Sequence, residues 1–257
     1  MIHEAARAKL NLTLHVTGRR DDGYHLLDSL VVFVGPCDWL SFRHADTRKL
    51  AVTGPFAEGV PTGPENLIWR AIDLIDPDVP LEVTLDKRLP HGGGLGGGSS
   101  DAAAALRAVK TLLGKPIPDA DRVLGLGADV PACLRGKPSR MRGIGEVLES
   151  APPIAPLSVL LVNPRVPLAT GDCFAALADV ENPPLSALDW FDEPAFRRWL
   201  KSAPHGRDGP LWPPDQVQAF VDWLRRQRND LEAPARRLVP EIGAALDALA
   251  ALPGCLL

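Results

Sequence analysis

Cysteine is scarce in this sequence, and its positions exclude two classes of protein. The four cysteines are Cys37, Cys133, Cys173 and Cys255, and no two of them form a C-x-x-C pair. This spacing fits neither a disulfide-rich scaffold nor a zinc knuckle, and it suits a reducing compartment. Metal-ligand spacing is also missing among His3, His15, His44, His91 and His205. We therefore expect no metal site built from cysteine or histidine.

Long apolar runs are missing as well. No run approaches the ~18 apolar residues of a membrane span, and the most apolar helical stretch, EIGAALDALAAL, is interrupted by Glu241 and Asp247. The first residues, MIHEAARAKLNLTLHV, contain no apolar segment of signal-peptide length. These absences predict a cytoplasmic protein without a membrane partner.

The sequence also has no excess of basic residues. Its formal net charge is −4, which argues against a general nucleic-acid binder as the protein's role. Hydrophobic residues make up 46% of the 257 residues, enough for two lobes or one large α/β domain. Composition leaves both a monomer and a homodimer open.

Glycine, by contrast, is concentrated in one place. The stretch LPHGGGLGGGSSDAAAALRAV begins at Leu89, and six of the seven residues from Gly92 to Gly98 are glycine. The alternating residues before it predict a strand, and the alanine-rich residues after it predict a helix. A helix N-terminus preceded by glycines lets backbone N–H groups approach an anion closely. The stretch therefore predicts a phosphate-binding loop.

Two known patterns of phosphate-binding loop are candidates for this segment. A Walker A loop ends in G-K-[ST], whereas two serines follow Gly98, so that pattern is excluded. Gly92, Gly94 and Gly97 do satisfy G-x-G-x-x-G, but a dinucleotide fold needs a strand after the helix. PIPDADRVLGLGADVP offers no convincing strand. A dinucleotide-binding oxidoreductase thus stays as an alternative of a different class.

Hydrophobic patterns predict the other elements. Residues 8–16 alternate as a strand, with Leu10, Leu12, Leu14 and Val16 on one face and Lys9, Asn11, Thr13 and His15 on the other. Residues 26–34 predict a second, antiparallel strand, reached through a turn at Gly23. Further strands are predicted over 79–90, 143–149 and 157–164, and helices over 65–75, 99–114, 216–226 and 240–252, with a short helix within 120–134. Residues 181–214 predict irregular or loosely helical structure, and the prolines near 148–158 indicate a lobe boundary.

Several motifs resemble those of one enzyme superfamily. PHGGGLGGGSSDAAAAL is similar to the P-x-G-x-G-L-G-G-G-S-S-D-A-A motif of the GHMP kinases. AKLNLTLHVTGRRDDGYHLLDSL and LGADVPACL resemble the N-terminal signature and the G-x-D-V-P segment of its 4-diphosphocytidyl-2-C-methyl-D-erythritol kinase family. ENLIWRA, RGIGEVLE and NDLEAP also match positions of that family. The resemblance covers nearly the whole chain.

The resemblance implies an α+β, two-lobed GHMP-kinase fold. Residues 1–150 are expected to form an N-terminal lobe that is ribosomal protein S5 domain 2-like and carries the ATP-binding glycine loop. Residues 151–257 are expected to form a C-terminal α/β lobe, with the active site in the cleft between the two. The implied reaction uses ATP and Mg²⁺ to phosphorylate the 2-hydroxyl of 4-diphosphocytidyl-2-C-methyl-D-erythritol, giving the 2-phosphate and ADP in the non-mevalonate route to isoprenoid precursors.

The resemblance assigns catalysis to Lys9 and Asp129, with Asp129 as the general base. A carboxylate beside a lysine is held in its anionic form, and the lysine offsets charge that develops during transfer. Taken singly, an aspartate before Val-Pro is usually a turn or cap residue, and a lone lysine on a strand is usually solvated. The glycine loop in the same chain favours the catalytic interpretation of both.

Further residues are assigned to the two substrates. ATP is expected at Pro90, His91, Gly92, Gly93, Gly94, Leu95, Gly96, Gly97, Gly98, Ser99, Ser100 and Asn66. A serine hydroxyl is expected to help hold the phosphates or Mg²⁺. Asp101 is expected either to have a similar role or to be the N-terminal cap of the helix. The cytidyl substrate is expected at Asn11, Tyr24, His25 and Phe174, where rings stack on the base and imidazole bonds its polar edge.

One departure from the family pattern keeps alternatives open. Members usually carry a third glycine motif of the S-G-S-G-A type after a helix like PEIGAALDALAAL, whereas this sequence has LPGCLL at that place. A nucleotide-binding protein without turnover is therefore one alternative. Another GHMP-type small-molecule kinase is a second, against which the GYH sequence argues.

Overall fold

A mixed β-sheet and a set of helices make up the computed structural model, which describes residues 1–202 and 212–255. The strands are β1 (Ile2–Asn11), β2 (His15–Arg19), β3 (His25–His44), β4 (Lys49–Thr53), β5 (Leu81–Asp86), β6 (Ser139–Gly143) and β7 (Val147–Ser150). The helices are α1 (Leu67–Ile75), α2 (Gly97–Leu113), α3 (Ala120–Leu124), α4 (Val130–Arg135), α5 (Thr170–Ala175), α6 (Glu193–Ser202), α7 (Pro214–Arg225), α8 (Glu232–Leu238) and α9 (Pro240–Ala250).

The long strand β3 organises the sheet. It pairs antiparallel with β1, β2, β5 and β6, while β4 runs parallel to β5 and β7 antiparallel to β6. In this register Lys9 on β1 lies opposite Phe33, and Asp86 at the end of β5 lies opposite Trp39. Because β1 and β5 are fixed on the same strand, the sheet also fixes where the chain enters the glycine loop.

The single strand predicted over residues 8–16 is divided in the structure. Leu12 and Thr13 interrupt it, and β1 and β2 lie on either side. The Leu12 N–H donates to the Leu30 carbonyl at 2.8 Å, and the Leu30 N–H donates to the Thr13 hydroxyl at 2.9 Å. A side-chain oxygen thus takes the place of a ladder carbonyl and lets the strand bend.

The alternation within residues 8–16 does not separate a solvent-exposed face from a buried face. Lys9, Thr13 and His15 are all buried, as are Leu14 and Val16. Helix α2 packs on β1, and the Leu14 N–H donates to the Arg228 carbonyl from the C-terminal part of the chain. Both faces of the segment are therefore covered, which a period-2 pattern does not reveal.

The predicted hairpin is confirmed. Strands β2 and β3 are antiparallel, and Gly23 in their turn has a φ of 93°, in the region that favours glycine. β3 extends beyond the predicted residues 26–34 at both ends, and strands β4 and β6 were not predicted. These strands have short or charged sequences whose pairing depends on β5 and β3.

Helix α2 joins the glycine loop to the core. It begins at Gly97 rather than at the predicted Ser99, and it ends at Leu113, before Gly114, which has a left-handed conformation. Ala102, Ala103, Ala104 and Ala105 are fully buried. Small side chains let the helix lie close to β1 and to α1. Helix α1 begins at Leu67 rather than at the predicted residue 65, with Asn66 as its N-cap.

The strand predicted over residues 157–164 is wrong. The structure gives this segment no strand pairing, and Val159, Leu160 and Val162 are 48%, 63% and 51% exposed. A strand needs a neighbour that supplies hydrogen bonds. Within residues 1–202 and 212–255, β7 is the last strand of the sheet. The apolar sequence of residues 157–164 alone was therefore not sufficient to form a strand.

The C-terminal residues pack on the sheet through aromatic side chains. Phe220 and Trp223 of α7 and the Trp190 ring form a buried cluster with Leu30 of β3. Helices α7 and α9 confirm the two predicted closing helices, whereas α8 was not predicted. Within the segment 181–214, α6 is regular; positions 203–211, including His205, lie outside the described residues.

The strands in the part of the chain that the structure describes all lie between residues 2 and 150. The lobe boundary near 148–158 stays a prediction. No helix among the described residues is both long and apolar enough to span a bilayer.

Candidate active site

Most of the predicted site residues surround one cavity of about 1370 Å³. It lies where β1, the glycine loop, the turn before α4 and the C-terminal helices meet. The predicted residues that line it are Lys9, Asn11, Tyr24, His25, Pro90, His91, Gly92, Gly93, Gly94, Leu95, Gly96, Gly97, Gly98, Ser99, Asp129 and Phe174. Asn66 and Ser100 are not among the lining residues.

Lys9 and Asp129 form an ion pair in this cavity. The Lys9 ammonium lies 2.6 Å from Asp129 Oδ1, and the two side chains are 3% and 33% exposed. Asp129 immediately precedes α4, but its side chain makes no capping hydrogen bond. The turn-or-cap interpretation therefore does not describe this carboxylate, which faces the cavity with its second oxygen available to a ligand.

Asn11 bridges the ion pair to the interior of the sheet. Its Oδ1 accepts from the Lys9 ammonium at 3.0 Å, and its Nδ2 donates to the Ser29 hydroxyl at 2.7 Å. The Ser29 hydroxyl in turn donates to the Thr13 carbonyl. This chain of donors fixes the amide so that its oxygen meets Lys9. Sequence reasoning missed Ser29, because nothing in the spacing of β3 marks it.

The glycine loop passes directly over Lys9. The Lys9 N–H donates to the Leu95 carbonyl at 2.9 Å. Gly96 has a φ of 62°, and a Cβ there would lie 3.2 Å from Lys9 Cβ and 3.8 Å from Asp129 Oδ2. The loop backbone at Gly96 therefore packs against the ion pair, and a side chain at this position would press against Lys9.

The loop delivers the N-terminus of α2 to the cavity. Gly97, Gly98 and Ser99 form the first turn and line the cavity wall. The first N–H groups of an α-helix have no partner within the helix and attract anions. Together with the left-handed Gly92 and Gly94 (φ of 63° and 69°), the loop presents a concave surface suited to phosphate.

The two serines after the loop differ. Ser99 lines the cavity, whereas Ser100 is buried and its hydroxyl donates to the Arg7 carbonyl at 2.7 Å. Asn66 caps α1: its Oδ1 accepts from the Ile68 N–H at 2.9 Å, and its Nδ2 donates to the Pro61 carbonyl at 2.6 Å. Ser100 and Asn66 are therefore engaged with backbone groups of the fold, and their contact with ATP stays a prediction.

Asp101 is not the N-terminal cap of α2. The capping position is Gly96, and the Asp101 carboxylate lies 2.7 Å from the Lys87 ammonium. Lys87 also lies 2.6 Å from the fully buried Asp38 carboxylate. Burial raises the pKa of Asp101 to about 7, and the Lys87 charge opposes that rise. Sequence reasoning missed Lys87 and Asp38.

Aromatic rings form the far side of the cavity. His25 stacks on Phe174 with ring centroids 4.8 Å apart and 18° between the planes. Burial, followed by the charge of Arg19, lowers the pKa of His25. Tyr24, also expected to contact the base, has a side chain that is 57% exposed at the cavity rim.

The donor set does not form a cage for a metal ion. Within the described ranges there is no group of three or more His, Cys, Asp or Glu side chains that could hold one. Mg²⁺ needs no such cage, since it keeps several waters and is commonly held by one or two protein groups plus substrate phosphates. The Ser99 hydroxyl beside the phosphate-binding loop fits that mode.

Known proteins similar to this chain agree with one another. Residues 66–144 match the family model described as GHMP kinases N terminal domain. A 4-diphosphocytidyl-2-C-methyl-D-erythritol kinase from Jannaschia sp. is 49% identical over 250 residues, which cover 97% of this chain and 81% of the relative. The enzyme of the same name from Paramagnetospirillum magneticum is 45% identical, with 98% and 82% covered.

Solved structures give the same fold. A crystal structure of 4-(cytidine 5'-diphospho)-2C-methyl-D-erythritol kinase is 30% identical, with a TM-score of 0.65 over 97% of this chain and 83% of the other. Homoserine kinase from Cytophaga hutchinsonii, at 17% identity and a TM-score of 0.51 over 96% and 78%, supports the fold alone. The predicted α+β GHMP-kinase fold is thus confirmed. With relatives this similar along nearly its whole length, the chain belongs to the 4-diphosphocytidyl-2-C-methyl-D-erythritol kinase family.

Proposed function

We propose that this chain transfers the γ-phosphoryl group of ATP to the 2-hydroxyl of 4-diphosphocytidyl-2-C-methyl-D-erythritol, giving the 2-phosphate and ADP. The observation that carries the proposal is the Lys9–Asp129 ion pair in contact with the glycine loop. A base for a hydroxyl and a binding loop for phosphate are the two parts that such a transfer needs, and they lie within one cavity. The names of the relatives supply the acceptor.

Asp129 acts as the general base. Its free oxygen accepts the proton of the substrate hydroxyl while the oxygen of that hydroxyl bonds to the γ-phosphorus. The bond from that phosphorus to the bridging oxygen breaks, and ADP leaves with the electron pair. Lys9 is the cationic partner of this carboxylate and offsets negative charge on the transferring group. Asn11 holds the Lys9 ammonium in line with Asp129.

The glycine loop binds the ATP phosphates. The loop runs from Pro90 to Gly98, its residues from His91 onwards supply backbone N–H groups, and the N-terminus of α2 adds its dipole. Mg²⁺, when bound with ATP, neutralises phosphate charge, and the Ser99 hydroxyl is the protein group placed to hold it. Positioning by backbone groups suits phosphoryl transfer, because little covalent chemistry is required of the protein.

The cytidine end of the acceptor binds at the aromatic side of the cavity. Phe174 and His25, which stack on each other, line the cavity there, and the exposed Tyr24 ring lies at its rim. Stacking accepts any base, so His25 supplies the polar contact that distinguishes cytosine. The acceptor then reaches from this side to the Lys9–Asp129 pair across the same cavity.

Phe174→Ala is expected to raise KM for the cytidyl acceptor by about 10-fold, because stacking contributes ~1–3 kcal/mol per base. KM for ATP stays unchanged. The matched control is Phe196→Ala, since Phe196 also stacks on an aromatic ring but does not line the cavity. Steady-state kinetics with each substrate varied in turn measure both constants. An unchanged acceptor KM in Phe174→Ala removes this ring from the binding site.

The function itself is tested by ADP release from the 257-residue chain with Mg-ATP. The cytidyl acceptor is compared with homoserine, mevalonate and galactose under the same conditions. Release with the cytidyl acceptor alone is the expected result. Release with one of the other alcohols instead assigns another small-molecule kinase. ATP binding without release on any acceptor assigns a nucleotide-binding protein without turnover.

A further inference from the structure

A buried ionic cluster lies beneath the phosphate loop, and its lysine also lines the cavity. It consists of Lys87, Asp38 and Asp101. The Lys87 ammonium is 2.6 Å from Asp38 Oδ2 and 2.7 Å from Asp101 Oδ2, and the three residues are 3%, 0% and 4% exposed. Burying three ionisable groups is costly, and their mutual pairing and hydrogen bonds offset only part of that cost.

Asp38 holds the beginning of the loop. Its Oδ1 accepts from the backbone N–H groups of Arg88 and Leu89, at 2.5 Å and 2.7 Å. These two residues link β5 to the glycines. Because Asp38 lies on β3, the entry to the loop is tied to the central strand of the sheet.

Lys87 and Asp101 hold the end of the loop. A Cβ on Gly97 would lie 3.1 Å from the Lys87 ammonium, so the ammonium touches the first residue of α2. Asp101, one turn further along the same helix, pairs with that ammonium. The same cation therefore connects the strand side of the loop with the helix side.

Charge attraction to ATP does not explain the cluster. Two carboxylates accompany one ammonium, so the cluster offers no net positive charge to the phosphates. The geometry of the cluster does affect phosphate binding. A loop with six glycines loses a large conformational entropy when it becomes ordered. If both ends of the loop are fixed before ATP binds, the loop loses less conformational entropy on binding, and less of the binding free energy is spent on ordering it.

We propose that Lys87, held between Asp38 and Asp101, is a positioning residue that fixes the two ends of the phosphate loop relative to each other and presets the loop for ATP. The inference rests on the proposed function only in that the loop binds ATP. It does not depend on the identity of the acceptor.

The first test is Lys87→Met, measured by calorimetric binding of a non-hydrolysable ATP analogue with Mg²⁺ and by steady-state kinetics. We expect Kd for the analogue and KM for ATP to rise by about 10- to 100-fold, the effect of losing a charged hydrogen-bonded partner. KM for the cytidyl acceptor stays unchanged. A purely structural role would lower the melting temperature without separating the two KM values.

Arg107→Met is the matched control. Arg107 lies on the same helix, and its guanidinium ties α2 to Glu4 at 2.8 Å and to the Ala5 carbonyl at 3.1 Å, away from the loop. We expect this variant to melt earlier but to bind the analogue with the wild-type Kd. An equal loss of analogue affinity in Arg107→Met overturns the proposal.

A second pair of variants retains the Lys87 ammonium and tests the positioning role even if Lys87→Met does not fold. Asp101→Asn retains an oxygen that accepts from Lys87, whereas Asp101→Leu has a similar volume and no acceptor. We expect the leucine variant to bind the analogue about 10-fold more weakly and the asparagine variant to bind it like wild type. Wild-type affinity in a folded Asp101→Leu chain overturns the proposal.

The two proposals fail in different ways. A wild-type chain that binds the analogue but does not phosphorylate the cytidyl acceptor contradicts the proposed reaction and leaves the positioning role to be decided by the variants. A wild-type chain that does not bind the analogue overturns the positioning role.

Discussion

Asp129→Asn is expected to lower kcat by about 10²- to 10⁴-fold, the usual contribution of a general base. The amide has nearly the shape of the carboxylate but does not accept the proton of the acceptor hydroxyl at neutral pH. It also leaves the Lys9 ammonium without its charged partner at 2.6 Å. Binding of an ATP analogue stays intact, because the loop contacts the phosphates through its backbone. Single-turnover kinetics with calorimetric binding separate the two effects.

Asp73→Asn is the matched control for this variant. Asp73 also lies 2.6 Å from a basic group, that of Arg48, and its side chain is 37% exposed against 33% for Asp129. It does not line the cavity. We expect this exposed pair to contribute little to stability and nothing to turnover. Near-normal kcat in Asp129→Asn contradicts the assignment of the base.

Gly96→Val is expected to abolish measurable ATP binding and, with it, turnover. The residue has a φ of 62°, and a Cβ there would lie 3.2 Å from Lys9 Cβ before the two valine methyl groups are added. The left-handed conformation costs a non-glycine residue about 1–2 kcal/mol, and the clash pushes the loop away from Lys9. Both the phosphate surface and the ion pair are displaced by a single change.

Gly114→Val is the matched control, because it separates the effect of backbone strain from the effect of moving the glycine loop away from Lys9. Gly114 has a φ of 64°, ends the same helix, and has nothing within 4 Å of its added Cβ. The variant therefore carries the same backbone strain far from the cavity. We expect a lower melting temperature with wild-type affinity for an ATP analogue. If calorimetry gives both variants the same affinity, the close approach of the loop to Lys9 is irrelevant to ATP binding.

The sequence predicted those features that depend on neighbouring residues. The glycines between an alternating stretch and an alanine-rich one predicted a strand, a loop and a helix, and β5 and α2 confirm both elements. The turn at Gly23 and the helix end at Gly114 followed from the one residue type that adopts a positive φ freely. The resemblance of motifs then predicted the fold, which the relatives confirm.

Longer-range features required the folded chain. The apolar segment 157–164 has the composition of a strand, but strand formation depends on a neighbour, and none pairs with it among the described residues. Asp101 follows two serines at a helix start, where a cap is the usual expectation. It instead pairs with Lys87, because β5 places that ammonium under the helix.

What the sequence determined by itself is therefore the chemistry of the local pieces: a loop that tolerates close approach, a helix that follows it, and the two residue types, lysine and aspartate, that a transfer site requires. Only the tertiary structure decided which side chains meet. Lys9 and Asp129 are 120 positions apart, and Lys87 and Asp38 are 49 apart. The register of β3 with β1 and β5 sets the Lys87–Asp38 pair. The packing of α4 on α2 and β1 brings Asp129 to Lys9. Both arrangements are properties of the whole fold rather than of any one segment.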